Sequence, residues 1–323
     1  MRRRMICALL VLVSLFSMLG AAGPESAGTA PESLKILCIG NSFTQDAMAY
    51  LPRVLREMMP ETEITVGILH TSNATLEKHM QWIKEGATYH AFDFWRSDRE
   101  AWKRFYTDKS VTLKRALELR DWDLITIQGV SLDVLSDEAT EKMIADAGRL
   151  TDWLKYSAQK PFTLMWLEWI GRPEGELSAD VMAQKIHDAT VYAAPRMHVD
   201  AVVPIGDAFQ IARQDEVLRT IGTGPSGYLM YQDNVHMQAG LPSLLAAYTT
   251  AAAILRYYGL DAERIERSTW IPTDENVVKI KANNEEGGTF THGLPEGVTA
   301  ENVALAKKIA VESVNNFANE FKP

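Results

Sequence analysis

The strongest constraint on the fold is the alternation of short apolar runs with longer amphipathic stretches along most of the chain. Apolar runs bounded by turn residues predict strands at residues 35–39, 63–69, 122–128, 161–167 and 199–205. Helical periodicity predicts helices at residues 45–59, 74–84, 111–120, 137–157, 178–193, 207–220, 238–258 and 299–321. Strands that alternate with helices in this way predict an α/β fold, with a mostly parallel central sheet covered by helices on both faces.

The first 22 residues have the pattern of a secretory signal peptide. Three arginines precede an apolar run at residues 5–19, and small residues at 20–22 offer a cleavage site after Ala22. The alternative is an uncleaved anchor, but the run is shorter than the roughly 20 residues that a membrane span needs. We therefore expect an exported protein, periplasmic or extracellular, that is not stably inserted in a membrane after cleavage.

Beyond the signal segment, we expect a flexible lead-in at residues 23–32 and a single domain at residues 33–323. Residues 89–110 are rich in aromatic and charged side chains, and we interpret them as an inserted hairpin or loop beside the sheet. One large domain can fill this length. The sequence does not indicate the oligomeric state.

Charge and cysteine content exclude several functional classes. The formal net charge is −9, and loss of the three signal-segment arginines makes it more negative, so nucleic acid is a poor candidate partner. Cys7 leaves with the signal segment, and Cys38 lies in the first predicted strand, where it is expected to be a small core residue without a disulfide. No Cys/His cluster has the spacing of a zinc site, and the sequence contains no His-Glu-x-x-His motif.

A serine follows the first predicted strand at the point where a helix is expected to begin. Gly40 and Asn41 make the turn, and Ser42 follows them directly. This layout brings a hydroxyl to the carboxyl edge of a sheet, beside free helical N–H groups that suit a developing oxyanion. The alternative is that Ser42 only caps the helix, since serine is a favoured N-cap residue.

A serine nucleophile needs a base, and the base needs a group that orients it. Asp233 and His236 offer both, three residues apart, just before the helix predicted at residues 238–258. Asp233 could accept a hydrogen bond from one imidazole nitrogen while the other nitrogen faces the serine. An isolated histidine at such a position is more often structural than catalytic. His70 and His79 are also close to Ser42 in the chain order, and they could bind substrate, although surface or structural use is more common for a histidine.

Together, these two stretches resemble the SGNH (GDSL-like) hydrolase superfamily, in particular secreted bacterial members often described as a domain of unknown function. Gly-Asn-Ser-Phe-Thr at residues 40–44 matches the first block of that family, with Ser42 as the nucleophile. Asp233 and His236 match the last block, as orienting acid and base, and the resemblance covers roughly residues 33–258. It implies a flavodoxin-like three-layer α/β/α sandwich and ester hydrolysis without a cofactor.

The middle blocks depart from the family pattern. Most members carry a glycine after the second strand whose N–H joins the oxyanion hole, but here Ser72 or Asn73 is the substitute by position. Most members carry an asparagine donor after the third strand, and here Gln128 stands near that place. The resemblance thus implies an oxyanion hole of the Ser42 N–H, an N–H near Asn73 and the Gln128 amide. The alternative is that Gln128 only ties a loop.

The strand predicted at residues 161–167 leads into Glu168 and Trp169, after Trp166 within it. The aromatic rings could stack on a sugar and Glu168 could bind hydroxyl groups, or Trp166 could be core and Trp169 could cover the sheet edge. The triad resemblance implies a serine esterase that removes small acyl groups, chiefly acetyl, from a small-molecule or glycan ester. The preference for a carbohydrate comes from the export signal, the aromatic strand end and the habits of the superfamily. The alternatives are a lipase- or thioesterase-like member and a carbohydrate-binding protein with little or no turnover.

Overall fold

The structure, a computed structural model, describes residues 28–97, 102–104, 111–220, 236–238, 240–272 and 298–321. These residues form a seven-stranded sheet with the strand order β4-β3-β2-β1-β5-β6-β7. The strands are β1 (Ser33–Gly40), β2 (Glu63–His70), β3 (Ala91–Arg96), β4 (Trp102–Arg104), β5 (Leu124–Gln128), β6 (Thr163–Leu167) and β7 (Ala201–Val203).

The sheet is parallel from β2 through β1, β5 and β6 to β7. The carboxyl ends of these five strands therefore share one edge, which we call the carboxyl edge. β3 pairs antiparallel with β2, and β4 pairs antiparallel with β3. The described part of the insertion predicted at residues 89–110 is thus a hairpin that extends the sheet.

The described helices follow the predicted order. They are α1 (Ser42–Met48), α2 (Leu51–Met58), α3 (Leu76–Glu85), α4 (Leu113–Glu118), α5 (Asp137–Ser157), α6 (Ala179–Ala193), α7 (Ile205–Gln214), α8 (Leu241–Tyr257) and α9 (Ala300–Glu320). Short 3₁₀ helices lie at Ser131–Val134, Ala194–Arg196, Leu218–Thr220 and Ala262–Arg267. The α/β fold class is confirmed.

Two predicted helices differ most from the structure. The helix expected at residues 45–59 is two helices, α1 and α2, and Pro52 lies in the first turn of α2. A proline there costs little, because the first helical N–H groups have no partner within the helix. The helix expected at residues 207–220 begins at Ile205 and ends at Gln214, and a 3₁₀ turn follows at Leu218–Thr220.

Apolar side chains alternate between the two faces of the sheet, as the period of a strand requires. On β1, Leu34, Ile36 and Cys38 face the core shared with α1, α2, α7, α8 and α9. Leu37 and Ile39 face the opposite core, which α3, α4 and α5 cover. Helices therefore cover both faces of the sheet, and the domain is a three-layer α/β/α sandwich.

Helix α8 lies inside the protein, with each residue from Leu241 to Leu255 buried. Within the residues that the structure describes, no helix is long and apolar enough to cross a bilayer. The expected signal segment at residues 1–22 lies outside the described residues, and so does Asp233.

Candidate active site at the carboxyl edge

Ser42 is the first residue of α1, directly beyond the carboxyl end of β1. The N-cap of this helix is Asn41, whose Oδ1 accepts a hydrogen bond from the Phe43 N–H at 3.0 Å. Capping therefore falls to Asn41, and the alternative that Ser42 caps the helix was wrong. Ser42 is partly exposed at the carboxyl edge, in contrast to its buried neighbours Asn41 and Phe43.

A buried polar network fixes the turn before Ser42. The Asn41 Nδ2 donates to the Ala74 carbonyl at 3.1 Å, and the Gln128 Nε2 donates to the Asn41 Oδ1 at 2.9 Å. The Gln128 Nε2 also donates to the Gly129 carbonyl at 3.1 Å, while the Gln128 Oε1 accepts from the Thr44 hydroxyl. Both amide hydrogens of Gln128 thus have acceptors within the protein. This geometry is that of a side chain that ties a loop, and it leaves neither amide hydrogen for an oxyanion.

The network also explains the glycine at the end of β1. A Cβ atom at Gly40 would collide with the Thr44 hydroxyl and with the carboxamide of Gln128. A glycine is needed there because the two polar side chains approach the backbone closely.

The loop after β2 contains a residue, Asn73, in a backbone conformation that glycine usually adopts. The Ala74 N–H donates to the Thr71 carbonyl at 3.1 Å, which closes a turn with Ser72 and Asn73 exposed. Asn73 has a φ of 55°, in the left-handed region that glycine prefers and asparagine tolerates. Asn73, rather than Ser72, thus has the backbone conformation that glycine prefers. The bond from Asn41 to Ala74 holds the loop against the turn before Ser42.

His236 lies in the short described segment that leads into α8, partly buried, and it is followed by the buried Met237. Just before α8 begins, the Gly240 N–H donates a hydrogen bond to the Tyr50 hydroxyl at 3.3 Å. Tyr50 lies between α1 and α2. The described residues thus include the expected nucleophile and base, whereas the expected orienting Asp233 lies outside them.

The imidazole of His70 lies at the carboxyl edge. His70 is the last residue of β2 and pairs in register with Gly40, and it is buried. Its Nε2 lies 3.4 Å from the Oδ2 of Asp93, which is a fully buried carboxylate on β3. The same Oδ2 accepts a hydrogen bond from the Gln45 Nε2 at 3.1 Å. Sequence reasoning missed Asp93, because the insertion gave no sign of its strand register.

The aromatic side chains that follow β6 are buried. Trp169 is 7% exposed and stacks on Phe43, with the ring centroids 4.3 Å apart. Trp166 is 3% exposed and belongs to the core on the opposite face. These rings have no open face for a sugar in this arrangement, so the proposal below gives them no substrate contact.

Glu168 lies beside them and is fully buried. Its Oε2 accepts a hydrogen bond at 3.1 Å from the Asp207 N–H in the first turn of α7, while the N-cap residue Pro204 supplies no side-chain acceptor. Glu168 therefore satisfies a helix terminus that would otherwise lack an acceptor. Burial, and next the Asp207 carboxylate, raise the pKa of Glu168 well above its usual value.

His187 on α6 joins this group. Its Nδ1 lies 3.0 and 3.1 Å from the two carboxylate oxygens of Asp207, and its Nε2 lies 3.0 Å from the Glu320 Oε2 on α9. The hydrogen bond to Asp207 is the main cause that raises the pKa of His187 to about 9. Sequence reasoning identified only Glu168 here, because these residues lie on separate elements and form no local motif.

Comparison with known proteins shows the fold only. No family model matches the chain, and no curated protein matches it. Among solved structures, the chain is similar to a DUF4886 family protein from Bacteroides uniformis, with a TM-score of 0.64 and 21% sequence identity. The match covers 88% of this chain and 95% of the other. At this identity, the likeness establishes a shared α/β/α architecture.

Proposed function

We propose that the chain is an exported serine esterase that hydrolyses small acyl esters, chiefly acetyl esters carried by carbohydrate. His236, oriented by Asp233, takes the proton of the Ser42 hydroxyl as the oxygen attacks the acyl carbonyl. The tetrahedral intermediate collapses, the alcohol leaves with the proton from His236, and water then releases the acyl group by the reverse sequence. No metal or organic cofactor takes part in these steps.

The observation that carries this proposal is the position of Ser42. It is partly exposed at the first position of α1, directly beyond β1, and a neighbouring residue performs the capping. Ligands of open parallel sheets bind beyond the carboxyl ends of the strands. A side chain there that is not required for capping is free to serve chemistry.

The helix end also suits the charge that develops in the reaction. The free N–H groups at the start of a helix, with its dipole, stabilise a negative oxygen. We assign the oxyanion to the backbone N–H groups of Ser42 and Asn73, since the turn at Asn73 is held close by the bond between Asn41 and Ala74. A hole with two donors instead of three predicts modest turnover, because one such donor is worth about 10²–10³ in rate.

The test is release of p-nitrophenol from p-nitrophenyl acetate by the purified chain and by the Ser42→Ala variant. We expect turnover by the wild-type chain and its loss in the variant. The matched control is Ser136→Ala, which removes an exposed serine that caps α5. Equal turnover in wild type and Ser42→Ala would contradict the proposal.

A carbohydrate-binding protein on this fold is the second candidate, and the engaged amide of Gln128 favours it. It predicts saturable binding of an acetylated oligosaccharide without acetate release by the wild-type chain. Calorimetry, run in parallel with an acetate assay on the same ligand, separates the two candidates.

A further inference from the structure

Four titratable side chains from separate parts of the chain lie close together. They are Glu168 after β6, His187 on α6, Asp207 on α7 and Glu320 on α9. One ligand atom from each of the first three lies within 4.8 Å of the others. A surface cavity of about 260 Å³, lined in part by His187, Asp207 and Glu320, gives access from solvent. This group, which we call the Glu168 cluster, is not used in the proposed reaction.

Only one of the two carboxylate oxygens of Glu168 has a hydrogen-bond partner among the described residues. The Oε2 of Glu168 is held by the Asp207 N–H at 3.1 Å, but the Oε1 is buried without a hydrogen-bond partner in the described residues. A buried carboxylate oxygen without a donor is costly, so some group is expected to satisfy it. Glu168 is 0% exposed, so bulk water does not satisfy this oxygen.

The histidine is arranged as metal-bound histidines are. A ligating imidazole almost always donates its second ring N–H to a carboxylate or carbonyl, which fixes the tautomer. The His187 Nδ1 faces Asp207, and its Nε2 lies 3.0 Å from the Glu320 carboxylate. Glu320 would thus orient the imidazole, and the cation would take the place of the Nδ1 proton that now faces Asp207, and that proton is released to solvent on binding.

We propose that the Glu168 cluster binds one divalent transition-metal ion, with His187 Nδ1, the Asp207 carboxylate and Glu168 Oε1 as ligands. Imidazole and carboxylate together suit Zn²⁺ and similar ions. Neighbouring ligand atoms in a tetrahedral zinc site lie about 3.3–3.5 Å apart, given Zn–N and Zn–O bonds of about 2.0–2.2 Å. The Nδ1 to Asp207 distances of 3.0 and 3.1 Å are close to this, and a pair of ligand atoms at the 4.8 Å limit of the set would have to approach by about 1.3–1.5 Å.

The position of the cluster indicates a structural ion. Its three ligands come from the residue after β6, from α6 and from α7, and none of them belongs to the proposed reaction. An ion held by Glu168, His187 and Asp207 would link the end of β6 to α6 and α7. The proposal does not depend on the esterase assignment, since its readout is metal binding.

The test is calorimetric titration of ZnCl₂ into the full chain, produced without a polyhistidine tag and stripped with EDTA, followed by thermal unfolding. We expect one Zn²⁺ per chain and a rise in melting temperature of about 5 °C at a hundredfold excess over the dissociation constant. MgCl₂ at the same concentration should produce no comparable rise.

Zn²⁺ binding by two variants tests whether the ion lies in the Glu168 cluster. Glu168→Gln and His187→Gln should each weaken Zn²⁺ binding at least about 10-fold. The matched control is His198→Asn, which removes an exposed histidine 3.9 Å from the Asp152 carboxylate. Absence of stoichiometric Zn²⁺ binding by the wild-type chain would overturn the proposal, and so would unchanged binding in both variants. If Glu168→Gln does not fold, the titrations of the wild-type chain and of His187→Gln still test the proposal.

Discussion

The Gln128 Nε2 donates a hydrogen bond to the Asn41 Oδ1 at 2.9 Å. This bond joins the end of β5 to the turn that follows β1, and the same Asn41 oxygen also accepts from the Phe43 N–H. Asn41, the residue immediately before Ser42, is therefore hydrogen-bonded both to the end of the neighbouring strand β5 and to the first turn of α1. Because Asn41 is buried, these bonds are shielded from water and set the direction in which α1 begins.

Replacement of Gln128 tests this relationship. Gln128→Leu keeps the approximate volume but leaves the Gly129 carbonyl and the Thr44 hydroxyl without their present partners. We expect a loss of about 2–4 kcal/mol in the free energy of unfolding, measured by urea denaturation. Gln159→Leu, at an exposed position, is the control and should change stability by less than about 0.5 kcal/mol. Similar losses in the two variants would show that the network contributes little.

Asn41 and Ser42 should separate stability from activity. Asn41→Ala removes the helix cap and the bond to the Ala74 carbonyl, so we expect a loss of about 2–4 kcal/mol in the free energy of unfolding. Ser42→Ala removes a partly exposed side chain that does not cap α1, so its effect should stay within about 0.5 kcal/mol.

Urea unfolding of the two variants, with esterase assays on the same samples, checks this prediction. A Ser42→Ala variant as unstable as Asn41→Ala would mean that loss of activity in Ser42→Ala reports folding rather than chemistry.

The parts of the fold that depend on local pattern were predictable from the sequence. Helix α5 begins and ends at the expected residues, because Ser136 caps it and its apolar period is regular. The parts that depend on distant contacts were not. The sequence showed that Gln128 follows a buried strand, but its acceptor on Asn41 is 87 residues away. The Glu168 cluster combines four elements, and no spacing in the sequence indicates it.

Cys38 should be inert in the folded protein. Its side chain is fully buried on β1, and burial raises the pKa of the thiol to about 12. The reactive thiolate is therefore nearly absent at neutral pH. We expect labelling with Ellman's reagent to be slow in the native chain without residues 1–22, and to reach one thiol per chain in guanidinium chloride. Prompt labelling without denaturant would contradict the buried position.

His79 should make the protein sensitive to acid. It is buried on α3, with its Nδ1 2.5 Å from the Tyr89 hydroxyl, and burial lowers the pKa of the imidazole to about 3. Between pH 6.5 and 3 the unfolded chain binds a proton that the folded chain does not, so stability falls as the pH falls through this window. The loss is at most about 1.4 kcal/mol per pH unit.

The measurement is urea unfolding of wild type and His79→Gln at several pH values from 7 to 4. The variant should lose less stability on acidification, because its side chain does not titrate. His198→Asn, at an exposed position, should follow the wild-type dependence on pH. Parallel curves for wild type and His79→Gln would contradict the assignment.

The last prediction concerns the oxyanion donor at Asn73, whose φ of 55° favours glycine. If the backbone N–H is the donor, Asn73→Gly preserves both the conformation and the donor, so its kcat should stay within about threefold of wild type. Asn73→Ala should lower the free energy of unfolding by about 1 kcal/mol, because alanine is strained in the left-handed region. The p-nitrophenyl acetate assay and urea unfolding on both variants provide the readouts. A loss of about 10²–10³ in the kcat of Asn73→Gly would instead assign the donor to the side-chain amide.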